Sequence, residues 1–221
     1  MPSFGSVPRG RLAFVDVDGT LLPASSERLF LGRALANRIL PAGGLFRFAA
    51  GYVLHPVRTV TGGCGWNRRY LEGAKAERVA SAAMDFSRGF LVPSMRTGIL
   101  SIIHGLASEG FGVVLVSASL AWLVIPLAGP AGASAVFASE PVERDGRLTG
   151  TLSGRRPYGK AKLELAEAVA GSAGTSLNQC AALGDAWSDR FLLSACGRPV
   201  AVHPGRRLRA LALSKGWRIA G

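Results

Sequence analysis

Short apolar runs that stop abruptly at small or acidic residues constrain this chain more than any other feature. Residues 12–17 (LAFVDV) run into Asp18-Gly19-Thr20, residues 111–116 (FGVVLV) into Ser117-Ala118-Ser119, and residues 179–183 into Gly184-Asp185. A brief apolar run bounded by turn-formers marks a strand buried on both faces. Residues 134–138 and 199–202 read as two further strands, with 217–219 closing the chain. Helix-length stretches separate them: one starting at Ser26-Glu27, one at 75–90, one from Pro93 to Glu109, one at 158–170 and one from about Arg206 to Ser214. This alternation predicts an α/β fold with a Rossmann-like, three-layer core whose mainly parallel sheet carries helices on both faces. The segment VERDGRLTGTL adds a hairpin turning at Asp145-Gly146. The stretch between the first two strands is too long for a simple crossover. It is therefore expected as a helical insert over 23–109, with the core formed by 1–22 and 110–221. Residues 41–65, rich in glycine and aromatics, resist assignment.

Of the 221 residues, 48% are apolar and 18% charged, enough to bury a substantial core and too apolar for a disordered chain. Lysine and arginine number 26 against 14 acids, a net charge of +12, which suits an anionic partner without choosing one. Cys64, Cys180 and Cys196 show no CxxC spacing, so neither a disulfide framework nor a zinc site is expected. Cys180 and Cys196 read as small buried hydrophobes. His55, His104 and His203 match no ligand spacing. No apolar stretch approaches the roughly 20 residues of a membrane span, and the N-terminus lacks a secretory pattern. A cytoplasmic location is the expectation.

Ligands of open parallel sheets bind beyond the carboxyl ends of the strands. Asp16 and Asp18 follow the first strand, Ser117 follows the second, and Asp185 and Asp189 follow the strand at 179–183. Lys160 opens the helix before that strand. The topology gathers these residues at one rim. Four carboxylates there would repel one another strongly. A hard divalent cation removes the conflict, and oxygen-only ligands select magnesium over zinc.

In this order, FVDVDGTLL, VVLVSAS, GKAKL and LGDAWSD resemble the four motifs of the haloacid dehalogenase superfamily of phosphohydrolases. ASEPVERDGRLTG and GRPVAVHPGRRLRALALSKGW are similar to its phosphoserine-phosphatase-like branch. The resemblance covers residues 11–217, although within the insert only 70–91 looks familiar. It implies that Asp16 attacks phosphorus and becomes an aspartyl phosphate. Asp18 then protonates the leaving oxygen and later activates water. It further implies that Mg²⁺ is held by Asp16, Asp185 and the backbone carbonyl of Asp18, with Asp189 reaching it directly or through water. Gly19, Thr20, Ser117, Ala118 and Lys160 would bind the phosphorylated substrate. Lys162 rivals Lys160, but Lys-x-x-Leu favours Lys160. Ser119 is expected to cap the following helix, and Trp187 to pack beside the site.

In the resemblance the insert is a cap that closes over the site. One or two of Arg28, Arg33, Arg38, Arg47, Arg58, Arg68 and Arg69 are expected at the cleft; Arg155 and Arg156 lie nearer the motif lysine. The branch's amine-recognising glutamate falls at about Ser25, with Glu27 close but unaligned, and DGT replaces DST. Phosphoserine is therefore disfavoured and another small phosphomonoester expected. The apolar segment 45–54, which carries Arg47, raises the alternative of a lipid phosphate or an anionic membrane surface; packing within the insert is preferred. A non-catalytic basic binding protein ranks lower still, because nothing resembles a nucleic-acid module and the positive charge is spread along the chain.

Overall fold

A computed structural model describes residues 1–54 and 68–221. The strands are β1 (Phe4–Gly5), β2 (Leu12–Val15), β3 (Gly112–Leu120), β4 (Ala133–Arg144), β5 (Arg147–Ser153), β6 (Ala181–Gly184), β7 (Arg198–Val202) and β8 (Arg218–Ala220). The longer helices are α1 (Ser26–Ala36), α2 (Ala42–Leu54), α3 (Ala76–Phe86), α4 (Thr97–Ser108), α5 (Lys160–Ser172), α6 (Arg190–Ala195) and α7 (Arg206–Ser214). The sheet order is β1-β4-β3-β2-β6-β7-β8, with β5 paired to β4. β4-β3-β2-β6-β7-β8 run parallel, while β1 and β5 pair antiparallel with β4. The expected mainly parallel α/β architecture is what the chain adopts.

Alternation along each strand explains why both faces are buried. Ala13 and Val15 of β2, with Val113 and Leu115 of β3, join Phe30, Val79, Ile99 and Ile103 in one apolar cluster. Leu12 and Phe14 point the other way, with Val114 and Val116, into a second cluster built on Ala166, Val169, Leu192 and Leu208. A parallel strand covered on both sides must be apolar at every position, and the four residues of β2 are all buried. The insert shares its core with the sheet: Phe30, Tyr70, Leu71 and Val79 belong to the same cluster as Val15.

Several boundaries shift. The helix expected over 75–90 ends at Phe86 and continues as a π-helical turn, Ser87–Leu91. The helix expected from Pro93 starts at Thr97. β3 does not stop at Val116 but runs through Ser119 to Leu120. Part of the unassigned stretch is helix α2, where Phe48 packs edge-on against Tyr70 at 5.4 Å while Phe46 is exposed. Arg58, His55 and Cys64 lie outside the described residues. No described helix is long and apolar enough to cross a membrane.

The hairpin β4–β5 turns at Asp145-Gly146 as expected and leans on the insert. Gly73 N–H donates to Leu148 O, Leu148 N–H to Ala74 O, and Ala76 N–H to Gly146 O. At Gly150 (φ 75°) a Cβ would come within 3.1 Å of the Arg69 Cα, so glycine suits both the left-handed backbone and the close approach of β5 to residues 68–72.

Phe14 is fully buried at the centre of the sheet. Phe14→Ala is expected to cost about 3–5 kcal/mol of stability, read from urea melts. A loss below about 1 kcal/mol would contradict this account of the core.

Candidate active site

Register delivers the polar groups to one edge. Val15 pairs with Leu115 on one side and Leu183 on the other, so Asp16 stands between the segments that follow Leu115 and Leu183, although β3 itself runs on to Leu120. Asp16 N–H still donates to Leu183 O at 3.0 Å. The side chains of Asp16, Asp185 and Asp189 each present an oxygen within 4.8 Å of the others. Asp16 and Asp189 are buried, 8% and 4% exposed, and Asp185 is half-buried.

The cation among them is Lys162. Its Nζ donates to Asp16 Oδ1 at 2.5 Å and to Asp189 Oδ1 at 2.7 Å, and the residue is 4% exposed. Lys160, the expected lysine, is exposed on the opposite side of α5, with its Nζ 5.7 Å from the Phe191 ring centroid. Helix phase is the reason. Lys162 stands in line with the buried Ala166, Val169 and Ala170, at spacings of four, seven and eight, whereas a residue two positions earlier is rotated away by about 200°. The Lys-x-x-Leu pattern misassigns the lysine; the apolar stripe identifies it.

Burial alone would push the Lys162 ammonium down, but Asp16 and Asp189 outweigh it and hold the pKa above its ordinary value. Burial raises the Asp16 carboxyl, and repulsion from Asp189 and Asp185 adds to this against the pull of Lys162. Asp185 is raised by burial and by Asp189. Three carboxylates face one ammonium, an excess of negative charge that a divalent cation would balance with oxygen ligands alone. The residues present therefore fit Mg²⁺.

Thr20 was expected to touch substrate, but it is fully buried and its hydroxyl lies 3.1 Å from both Asp16 Oδ2 and Asp185 Oδ1. It positions the carboxylates. At Gly19 (φ 87°) a Cβ would fall 2.1 Å from Asp185 Oδ2, so the site closes only over glycine. Asp189 Oδ2 accepts the Ala186 N–H at 3.1 Å, so Lys162 and that amide together engage both of its oxygens.

Asp18 stands apart from this cluster. Its Oδ1 accepts the Ser26 N–H at the start of α1 at 2.9 Å, and its Oδ2 accepts the Ser119 hydroxyl at 2.5 Å. Ser119 is thus no helix cap: the short helix beyond it begins after Leu120 without a side-chain cap. Sequence reasoning passed over its role because β3 was ended too early; in a strand, residues 117 and 119 share a face. Ser117 is buried, and its Oγ accepts the Ser119 N–H at 3.1 Å. The Ala118 carbonyl accepts from Ser139 at 2.8 Å and from Arg68 at 3.2 Å.

Of the arginines expected at the cleft, Arg68 is there, buried and 2.7 Å from Glu27 Oε2. Tyr70 donates its hydroxyl to Glu27 Oε1. Ser25 accepts from Arg28 N–H as the N-cap of α1. Arg155 is exposed and paired with Glu164. Arg47 pairs with Glu72 away from this cluster. Trp187 is partly exposed between the guanidinium groups of Arg190 and Arg207, 4.5 and 5.0 Å from its ring centroid. Cys180 and Cys196 are buried free thiols as expected, and burial pushes Cys196 up to about 12.

A family model described as haloacid dehalogenase-like hydrolase matches residues 13–194. The chain is similar to the Inhibition of morphological differentiation protein of Streptomyces azureus, at 32% identity across 97% of this chain and 79% of that one. It is 28% identical to Phosphoserine phosphatase SerB1 of Mycobacterium tuberculosis, across 94% of this chain and 69% of the relative. Among solved structures, a protein of unknown function from Bordetella pertussis Tohama I aligns with a TM-score of 0.78 and 25% identity, covering 97% of this chain and 99% of that one.

Lys162→Met leaves Asp16 and Asp189 facing each other without their ammonium. It is expected to cost about 3–5 kcal/mol of stability at neutral pH in the presence of a chelator. Lys160→Met, on the exposed side, should cost no more than about 0.5 kcal/mol. Equal losses in urea melts would contradict the assignment of Lys162.

Proposed function

The chain belongs to the haloacid dehalogenase-like hydrolase family, and from that premise we propose that it is a magnesium-dependent phosphatase acting on a small phosphomonoester through an aspartyl phosphate on Asp16. One observation carries the reading. A buried lysine neutralises part of a three-carboxylate cluster at the sheet edge, while a fourth carboxyl, Asp18, is held outside it by Ser119 and the Ser26 N–H. A protein that merely bound anions through its basic surface would gain nothing from burying these acids.

The two aspartates differ in surroundings, and that difference assigns their tasks. Asp16 sits against Lys162 and Thr20, which fix its carboxylate in a single orientation. It attacks phosphorus in line with the leaving oxygen, and the bond from phosphorus to that oxygen breaks as the acyl phosphate forms. Asp18 lacks a cationic partner among the described contacts and gives its proton to the departing alkoxide. Once the alcohol has left, Asp18 takes a proton from a water molecule. That water attacks the phosphorus of the acyl phosphate and restores the Asp16 carboxylate, releasing inorganic phosphate. Ser117 and the backbone of Ala118 hold phosphoryl oxygens, and Lys162 offsets negative charge as it builds on Asp16.

Asp16 and Asp185, with the Asp18 carbonyl, would hold Mg²⁺; Asp189, its oxygens engaged by Lys162 and Ala186, supports the site from behind. When bound, the cation supplies charge neutralisation for the phosphoryl oxygens. The protein's own share is positioning and a preorganised field. The 23–109 segment is the cap, and the substrate is a small phosphorylated molecule enclosed beneath it.

Asp16→Asn should lower magnesium-dependent phosphate release from p-nitrophenyl phosphate about a thousandfold or more, and Asp18→Asn about a hundredfold to ten-thousandfold. Thermal melts would establish that both variants fold. Unchanged turnover in folded Asp16→Asn rejects the mechanism.

A further inference from the structure

Ser119 ties the end of β3 to the loop after β2 through two separate atoms. Its backbone N–H donates to Ser117 Oγ at 3.1 Å, and its hydroxyl lies 2.5 Å from Asp18 Oδ2. The first contact occupies an acceptor position on Ser117 and leaves that hydroxyl's own proton for a phosphoryl oxygen. The second fixes the plane of the Asp18 carboxyl, because Oδ1 is held at the same time by the Ser26 N–H at 2.9 Å. Ser119 is buried, which shields the link from competing solvent. Arg68 reaches the intervening Ala118 carbonyl and pairs with Glu27 at 2.7 Å, an ion pair that a change at the Ser119 side chain leaves intact.

The two donors on Asp18 differ in kind. A backbone N–H only donates, so it favours Oδ1 as the oxygen that stays unprotonated. A hydroxyl donates or accepts as its hydrogen rotates. Ser119 therefore fits Oδ2 both when that oxygen is ionised and when it carries a proton.

We propose that Ser119 is a positioning residue for the acid–base step and that Oδ2 is the oxygen of Asp18 that exchanges the proton. This rests on the phosphatase reading. As the bond from phosphorus to the ester oxygen breaks, the proton on Oδ2 passes to that oxygen, and the Ser119 hydroxyl turns to donate to the ionised Oδ2. In the second half-reaction a water molecule gives a proton to Oδ2 as its oxygen bonds to phosphorus and the Asp16 carboxylate departs.

The test measures kcat/KM with magnesium for p-nitrophenyl, p-chlorophenyl and phenyl phosphate, esters of similar shape whose phenolates leave progressively less easily. This parameter covers only the steps up to departure of the phenol, in which Asp18 acts as the acid. Ser119→Ala should cost about threefold or less on the nitrophenyl ester and about 10- to 100-fold on the phenyl ester. Ser119→Thr, which keeps the hydroxyl, should recover most of that loss. Added to Asp18→Asn, Ser119→Ala should lower phenyl phosphate turnover by less than about twofold further, because its effect passes through Asp18. Thermal melts would establish that the variants fold. Equal losses on all the esters, or full additivity with Asp18→Asn, would make Ser119 a packing residue and overturn the proposal. A wild type inactive on every ester rejects the phosphatase reading and this proposal with it, whereas an active wild type without the contrast rejects the proposal alone.

Discussion

The ammonium of Lys162, buried between Asp16 and Asp189, is the interaction on which the rest of the site depends. Carboxylates this close and this sheltered would not all stay ionised in isolation, and a protonated Asp16 is no nucleophile. Lys162 donates to both Asp16 and Asp189 and pulls against the effect of burial and repulsion on Asp16, and its helix is anchored by Ala166, Val169 and Ala170 in the core beneath β2 and β6. Position and charge thus come from one helix. The same stripe that packs α5 on the sheet aims the lysine at the strand ends.

That arrangement would be useless without the register of the sheet. β2 lies between β3 and β6, so whatever follows Val15 is flanked by whatever follows Leu115 and Leu183. Two hydroxyls then separate the aspartates by role. Thr20 ties Asp16 to Asp185, inside the charged cluster, whereas Ser119 holds Asp18 outside it. The two carboxyl groups are two residues apart in the chain, yet one accepts from the Lys162 ammonium and the other from the Ser26 N–H and the Ser119 hydroxyl. The nucleophile and the acid–base group proposed above need that contrast.

The parts of this design that sequence discloses are those with a short-range physical signature. A strand covered on both faces must be continuously apolar, so LAFVDV, FGVVLV and the 179–183 run announce both the sheet and the places where it ends. Asp16, Asp18, Ser117, Asp185 and Asp189 follow from those ends. Lys160 was favoured because a motif pattern counts residues without regard to helix phase; Lys162 lies on the buried stripe and Lys160 does not. Thr20 was named as a substrate contact and Ser119 as a helix cap; their hold on the aspartates was missed for a different reason. Each acts on a carboxylate brought close by the loop or sheet, and neither contact has a local pattern. The insert was least legible, because its alanines and glycines satisfy no period, although part of it forms α2. Its close contact with β5 at Gly150, a left-handed position, is something no hydropathy pattern records.

Two excursions from the core, the insert and the β4–β5 hairpin, meet through the backbone bonds at Gly73, Leu148 and Gly146. The insert also supplies Arg68, which reaches the Ala118 carbonyl one residue beyond Ser117, so the junction lies against the end of β3. The strand ends are fixed by the sheet and can change little without unmaking the cluster around Lys162. The junction rests instead on backbone hydrogen bonds and on the close approach at Gly150. The parallel core therefore holds the proposed chemistry, and the insert is joined to it twice, through a shared apolar cluster and through the hairpin.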